Sequence, residues 1–99
     1  MANLKDIADN IKKNNLDEAL NLCDVYDDIN NQHIIYNFKG VIFLIKENFK
    51  LSEENFLKSL KINPKFEDAI KNLYLVYLKK KFFKDLLIYA RKLVEIDKL

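Results

Sequence analysis

The sequence predicts an all-α fold, a superhelical stack (solenoid) of three antiparallel helix pairs forming one domain over residues 1–99. Apolar residues recur at helical spacing along the whole chain, which holds only 1 Gly and 1 Pro among 99 residues. Short polar segments divide the chain into six helical stretches. These stretches recur as pairs at an interval of about 34 residues, and short connections between helices favour antiparallel neighbours.

The first pair spans about residues 1–32. The apolar stripe of its first helix follows the spacing i, i+3, i+4, i+7 and consists of Leu4, Ile7, Ala8 and Ile11. Asn15 is predicted to cap the second helix, with Glu18 as its capping-box partner three residues later. The second helix fades at residues 27–28, and a turn is expected at residues 30–32.

The second pair spans about residues 33–66. Its first helix is predicted from His33 to Glu47, and Asn48 is the expected cap of a helix from about Phe49 to Lys61. Pro64 ends this helix, because proline disfavours the helical conformation in the residue before it.

The third pair spans about residues 67–99. Its helices are predicted from about Phe66 to Lys80 and from about Phe83 to Asp97, with a turn at residues 81–82. A single pair cannot cover its own apolar face, whereas stacked pairs can.

The middle pair resembles a tetratricopeptide repeat. That pattern has a large residue, a Gly four positions later and an aromatic residue on the first helix, then small residues, a Phe and a closing Pro on the second. The matching residues are Tyr36, Gly40, Phe43, Ser52, Phe56, Ser59 and Pro64. Thirty-four residues separate Tyr36 from Ile70 and Phe43 from Tyr77. The first pair keeps the register but is one residue shorter in its internal turn.

Small residues are expected where the two helices of a pair approach each other, at Gly40 and Ser52, and at Ala8 and Ala19 in the first pair. The third pair departs from this pattern with Tyr74 and Leu86. It also lacks the extra polar helix that usually covers the end of such arrays. Leu87, Val94 and Leu99 are therefore expected to lack cover within the chain.

The resemblance implies that the first helix of each pair lines a concave groove that binds peptides. The residues projected onto this groove are Lys5, Ile34, Asn37, Val41, Leu44, Ile45, Lys71, Leu75 and Leu78. The apolar members, which we call the apolar strip, are Ile34, Val41, Leu44, Ile45, Leu75 and Leu78. The resulting hypothesis is a module that binds a peptide or an amphipathic helix of a partner protein.

Two alternatives remain at this stage. The apolar strip can be covered within a tight superhelix, or copies of the chain can stack through their terminal helices. The formal charge is −4 over residues 1–32, +3 over 33–66 and +3 over 67–99. This acidic front and basic back favour head-to-tail contact between copies of the chain.

Composition favours a non-enzymatic cytoplasmic protein without metal or cofactor. His33 is the only histidine and is expected at the surface, and Cys23, the only cysteine, is expected to pack in the core. The longest apolar run, residues 41–45, is too short to span a membrane. A net charge of +2 and one short lysine run do not indicate nucleic-acid binding.

Overall fold

The computed structural model describes residues 3–80 and 83–97, and within these it describes the side chains of residues 3–80 and 88–96. All regular secondary structure within the described residues is helical, and these residues contain no strand. The helices are α1 (Leu4–Lys12), α2 (Leu16–Val25), α3 (Gln32–Ile45), α4 (Phe49–Ile62), α5 (Glu67–Lys80) and α6 (Phe83–Asp97), with a 3-10 turn at Ile29–Asn31 before α3.

The helix bounds agree with the sequence prediction to within about two residues. Asn48 caps α4 as expected, because its side chain accepts a hydrogen bond from the Leu51 N–H at 3.2 Å. Helix α4 ends at Ile62, and Asn63 before Pro64 is extended. The turn predicted at residues 81–82 lies outside the described residues.

Successive helices pack against each other along the chain. Each helix from α1 to α5 contacts the next helix in the chain, and α3 also contacts α1 and α5. One buried cluster joins α1, α2 and α3 around Ile7, Cys23 and Ile35, and a second joins α4 and α5 around Phe56 and Leu73. Helix α3 therefore contacts helices of both the first and the third pair.

The closest approach within the second pair is built on Gly40. The Ser52 hydroxyl donates a hydrogen bond to the Gly40 carbonyl at 2.8 Å, and Ser52 is fully buried. A Cβ atom on Gly40 would overlap the buried Phe56 ring. The expected approach of Gly40 and Ser52 is confirmed, and the ring of Phe56 is the group that requires the glycine.

The third pair has a large residue where the second pair has a small one, and a small residue where the second pair has a large one. At intervals of 34 residues, Gly40 corresponds to Tyr74 and Phe56 corresponds to Ala90. The third pair therefore carries its aromatic residue on the first helix and its small residue on the second. This exchange gives a volume-based reason for the departure at Tyr74, whereas the side chain of Leu86 lies outside the described residues.

The turns inside the first two pairs share one backbone conformation. Asn14 and Glu47 have φ angles of 62° and 61°, in the left-handed region. In each turn the next N–H bonds back five residues, from Asn15 to the Asn10 carbonyl at 2.8 Å and from Asn48 to the Phe43 carbonyl at 2.9 Å. This is the Schellman arrangement that ends many helices.

Asn15 occupies the N-cap position of α2, as predicted, but the capping hydrogen bond expected of its side chain is not made. Its side chain instead donates to the Asn10 Oδ1 at 3.4 Å. The expected capping box with Glu18 is therefore absent, since that arrangement begins with the N-cap side chain. Asn14, which tolerates the left-handed conformation better than most residues, sets this turn instead.

Two ion pairs connect α2 with α3. Lys39 lies 2.8 Å from Asp24, and Lys46 lies 2.8 Å from Asp17. The hydrogen bond and the charge of Lys46 hold the pKa of Asp17 below its ordinary value. These ion pairs join acidic residues of the first pair to lysines of the second pair within a single chain.

Candidate functional site

The residues projected onto the groove lie on α1, α3 and α5, the first helices of the three pairs. These are the helices that contact one another across the pairs, since α3 contacts both α1 and α5. The strip that the sequence predicts therefore follows adjacent helices, and the exposure of each side chain decides how much of it a partner can reach.

The structure buries Asn37 instead of placing it on an open groove wall. Its side chain is 7% exposed, and its Oδ1 accepts a hydrogen bond from the Asn72 Nδ2 at 3.0 Å. This bond joins α3 to α5 across 35 residues of sequence. The amide pairing gives a buried polar group a partner, so Asn37 connects neighbouring helix pairs. Sequence reasoning missed this role of Asn72.

Half of the apolar strip is partly covered within the molecule. Val41 and Leu44 are half-buried and pack against the cluster that α4 and α5 form. Ile34 is half-buried at the start of α3. These three residues therefore contribute to packing as well as to the surface.

The other half of the strip is open. Ile45 is 46% exposed at the end of α3, and Leu75 and Leu78 are 42% and 50% exposed on α5. Single exposed apolar residues are ordinary on protein surfaces, whereas these three large ones lie on two helices that contact each other.

The charged residues of the projected groove are at the surface. Lys5 is exposed on α1, and Lys71 is exposed on α5, where it lies 2.6 Å from Glu67 one turn earlier. An exposed ion pair of this kind contributes little to stability and leaves the lysine able to exchange partners.

The remaining candidate residues have structural surroundings. His33, expected at the surface, is half-buried and packs edge-on against the Phe66 ring at 4.9 Å. Cys23 is buried as predicted, and burial raises its pKa to about 11. No group of His, Cys, Asp or Glu within the described residues is arranged to hold a metal ion.

An open cleft of about 330 Å³ lies where the α4–α5 connection meets the end of α6. Pro64, Lys65, Lys92, Glu95 and Ile96 line it. In the part of the chain that the structure describes, no helix is both long enough and apolar enough to cross a membrane.

Comparisons with known proteins give no relative from which a site can be transferred. No family model, curated protein or solved structure matches this chain.

Proposed function

We propose that the three helix pairs form a short superhelical array of tetratricopeptide-like repeats. The middle pair supports this interpretation, because Gly40 and Ser52 meet in the core as the repeat pattern requires. The contacts of α3 with both α1 and α5 also support a stack of pairs.

In this proposal the chain is a protein-interaction module and not an enzyme. It binds an apolar peptide or helix of a partner protein along the first helices, in contact with Ile45, Leu75 and Leu78. The observation that carries the proposal is the exposure of these three large side chains on two contacting helices.

Burial of the three side chains supplies the driving force. Removing apolar surface from water stabilises a complex by roughly 25 cal/mol per Å², before the costs of association are subtracted. Three half-exposed aliphatic residues give weak or moderate affinity unless the partner adds polar contacts. Lys5 and Lys71 at the margins favour a partner segment with acidic flanks.

A displayed library of random peptides tests the proposal. Selected sequences are expected to be apolar, and their binding to the purified chain should fall at least about tenfold with Ile45→Asp or Leu75→Asp. Ile29→Asp is the control, because Ile29 is exposed on the 3-10 turn outside the strip. Selected peptides that bind all three variants equally well would contradict the proposed groove.

Assembly of copies through their terminal helices is the second candidate. It is favoured by Val94, which is 52% exposed on α6, the last helix. In this case light scattering should show a molar mass that rises with concentration and falls back to that of one chain with Val94→Asp. A constant single-chain mass at high concentration excludes assembly.

A further inference from the structure

The 34-residue interval relates three covered residues of the second pair to three uncovered residues of the third. Adding 34 to Val41, Leu44 and Leu60 gives Leu75, Leu78 and Val94. Leu60 is only 7% exposed, and Val41 and Leu44 are half-buried, all within the cluster that contains α5. Leu75, Leu78 and Val94 are 42%, 50% and 52% exposed. We call these three residues the end face.

From this relationship we infer that the end face binds an amphipathic helix of a partner protein, seated as α5 is seated on α3 and α4. The inference goes beyond the proposed groove, because it includes α6 and specifies the chemistry of the occupant.

Helix α5 shows what the occupant must supply. Ala69, Leu73 and Val76 are fully buried, and their helical spacing places them on the same face of α5 as Asn72, which bonds to Asn37 of α3. A matching helix therefore has a small residue, then aliphatic residues four and seven positions later, at the spacing of one helix face.

Lys71 determines the polar residue of the occupant. It takes the place of Asn37, whose Oδ1 accepts the bond from Asn72. A lysine ammonium group can only donate hydrogen bonds, so the residue opposite it must accept. Glu67 already lies beside Lys71, and a second carboxylate on the partner helix would share the same ammonium group.

A second copy stacked head to tail does not meet these requirements. Where α5 has Ala69, Asn72 and Val76, α3 has Ile35, Phe38 and Ile42, and α1 has Asn3, Asp6 and Asn10. Asn3 and Asp6 are exposed, and Asn10 donates its side-chain N–H to the Asp6 carbonyl at 2.8 Å. Covering Leu75 and Leu78 with this polar face would desolvate amide and carboxylate groups against apolar side chains. A partner helix is therefore favoured over a copy of this chain.

The test uses a synthetic peptide with the sequence of residues 66–80 and Asn72→Glu, labelled with fluorescein and titrated with the full 99-residue chain. Fluorescence anisotropy should show saturable binding. Leu78→Asp and Val94→Asp should each weaken it at least about tenfold, whereas the control Ile29→Asp should not. Circular dichroism confirms that each variant is folded.

Reversal of charge tests the position of Lys71. Lys71→Glu should weaken binding of the glutamate peptide and strengthen binding of a peptide with Asn72→Lys. Ile45→Asp separates the two proposals, because it alters the groove and leaves the end face intact. Peptide binding that survives Ile45→Asp and is lost with Val94→Asp supports the end face, whatever the outcome for the groove.

Three results of the peptide titrations would overturn the inference. The peptide fails to bind, Ile29→Asp weakens binding as strongly as Val94→Asp, or the two peptides respond alike to Lys71→Glu. A dimer of the chain in sedimentation equilibrium that dissociates with Leu78→Asp would assign the end face to a second copy and would also overturn it.

Discussion

The Ser52 hydroxyl donates a hydrogen bond to the backbone carbonyl of Gly40 across the interface of α3 and α4, over a distance of 2.8 Å. The bond is buried. The Phe56 ring, which follows Ser52 by one turn of α4, is fully buried and occupies the space that a Cβ atom on Gly40 would need. Gly40 thus contacts both the Ser52 hydroxyl, through its carbonyl, and the large apolar ring of Phe56.

Gly40→Ala is expected to destabilise the chain by up to about 2 kcal/mol. Alanine in a helix gains about 1 kcal/mol over glycine, but the added methyl group overlaps the Phe56 ring, and overpacking of a core costs about 1–3 kcal/mol. Urea unfolding followed by circular dichroism measures the difference. The steric explanation also requires that Phe56→Leu cost less in the Gly40→Ala background than in the wild type, because leucine removes the overlap.

Glu47→Gly is expected to raise the free energy of unfolding by about 1 kcal/mol. Glu47 has a φ angle of 61°, a conformation that costs L-residues about 1–2 kcal/mol and costs glycine almost nothing. Lys61→Gly in the last turn of α4 is the control, and it should lower stability because that position is helical. Equal effects of both substitutions would show that Glu47 stores no strain.

The Cys23 thiol is expected to react slowly in the folded chain. Burial raises its pKa from 9.0 to about 11, so at neutral pH the thiolate is about a hundredfold less abundant than in the unfolded chain. Alkylation by iodoacetamide should therefore accelerate sharply across the urea transition.

The same pKa shift gives a pH dependence of known sign. The stabilising contribution of Cys23 is present below pH 9, where the thiol is protonated in both the folded and the unfolded chain. It is lost as pH rises toward 11, because the unfolded chain ionises first. Cys23→Ala removes this loss, so the stability of the wild type relative to this variant should fall between pH 9 and 11.

Helix bounds could be predicted from the sequence because apolar periodicity and cap residues are local signals. The two ends of α4 illustrate this, since Asn48 and Pro64 act within one turn of the helix. The position of Asn15 as N-cap of α2 could also be predicted, whereas the missing side-chain bond could not, because the turn geometry depends on the left-handed conformation of Asn14.

Contacts between pairs were less predictable than the helices themselves. Asn37 and Asn72 are 35 residues apart, and each one alone resembles an exposed polar residue. Their hydrogen bond depends on how α3 and α5 are placed, which no local pattern specifies. The exchange of Gly40 and Phe56 for Tyr74 and Ala90 is visible in the sequence only after the contact at Gly40 is known.

Leu44→Ala and Leu78→Ala form a matched pair that measures how far the end face is covered. The two leucines are 34 residues apart on the first helices of successive pairs. Leu44 packs against the core cluster, so its truncation should cost about 1–2 kcal/mol, less than the 2–5 kcal/mol of a fully buried leucine. Leu78 is 50% exposed, and its truncation should cost less than about 0.5 kcal/mol.

The contrast also shows that Leu78, and not Leu44, is suitable for a test of binding. Leu44→Asp would place a charge against the core cluster and is expected to unfold the chain, whereas Leu78→Asp is expected to leave it folded. Denaturation in urea gives both values under one set of conditions. An equal cost for the two alanine variants would mean that Leu78 is covered in solution, and the end face would then be unavailable to any partner helix.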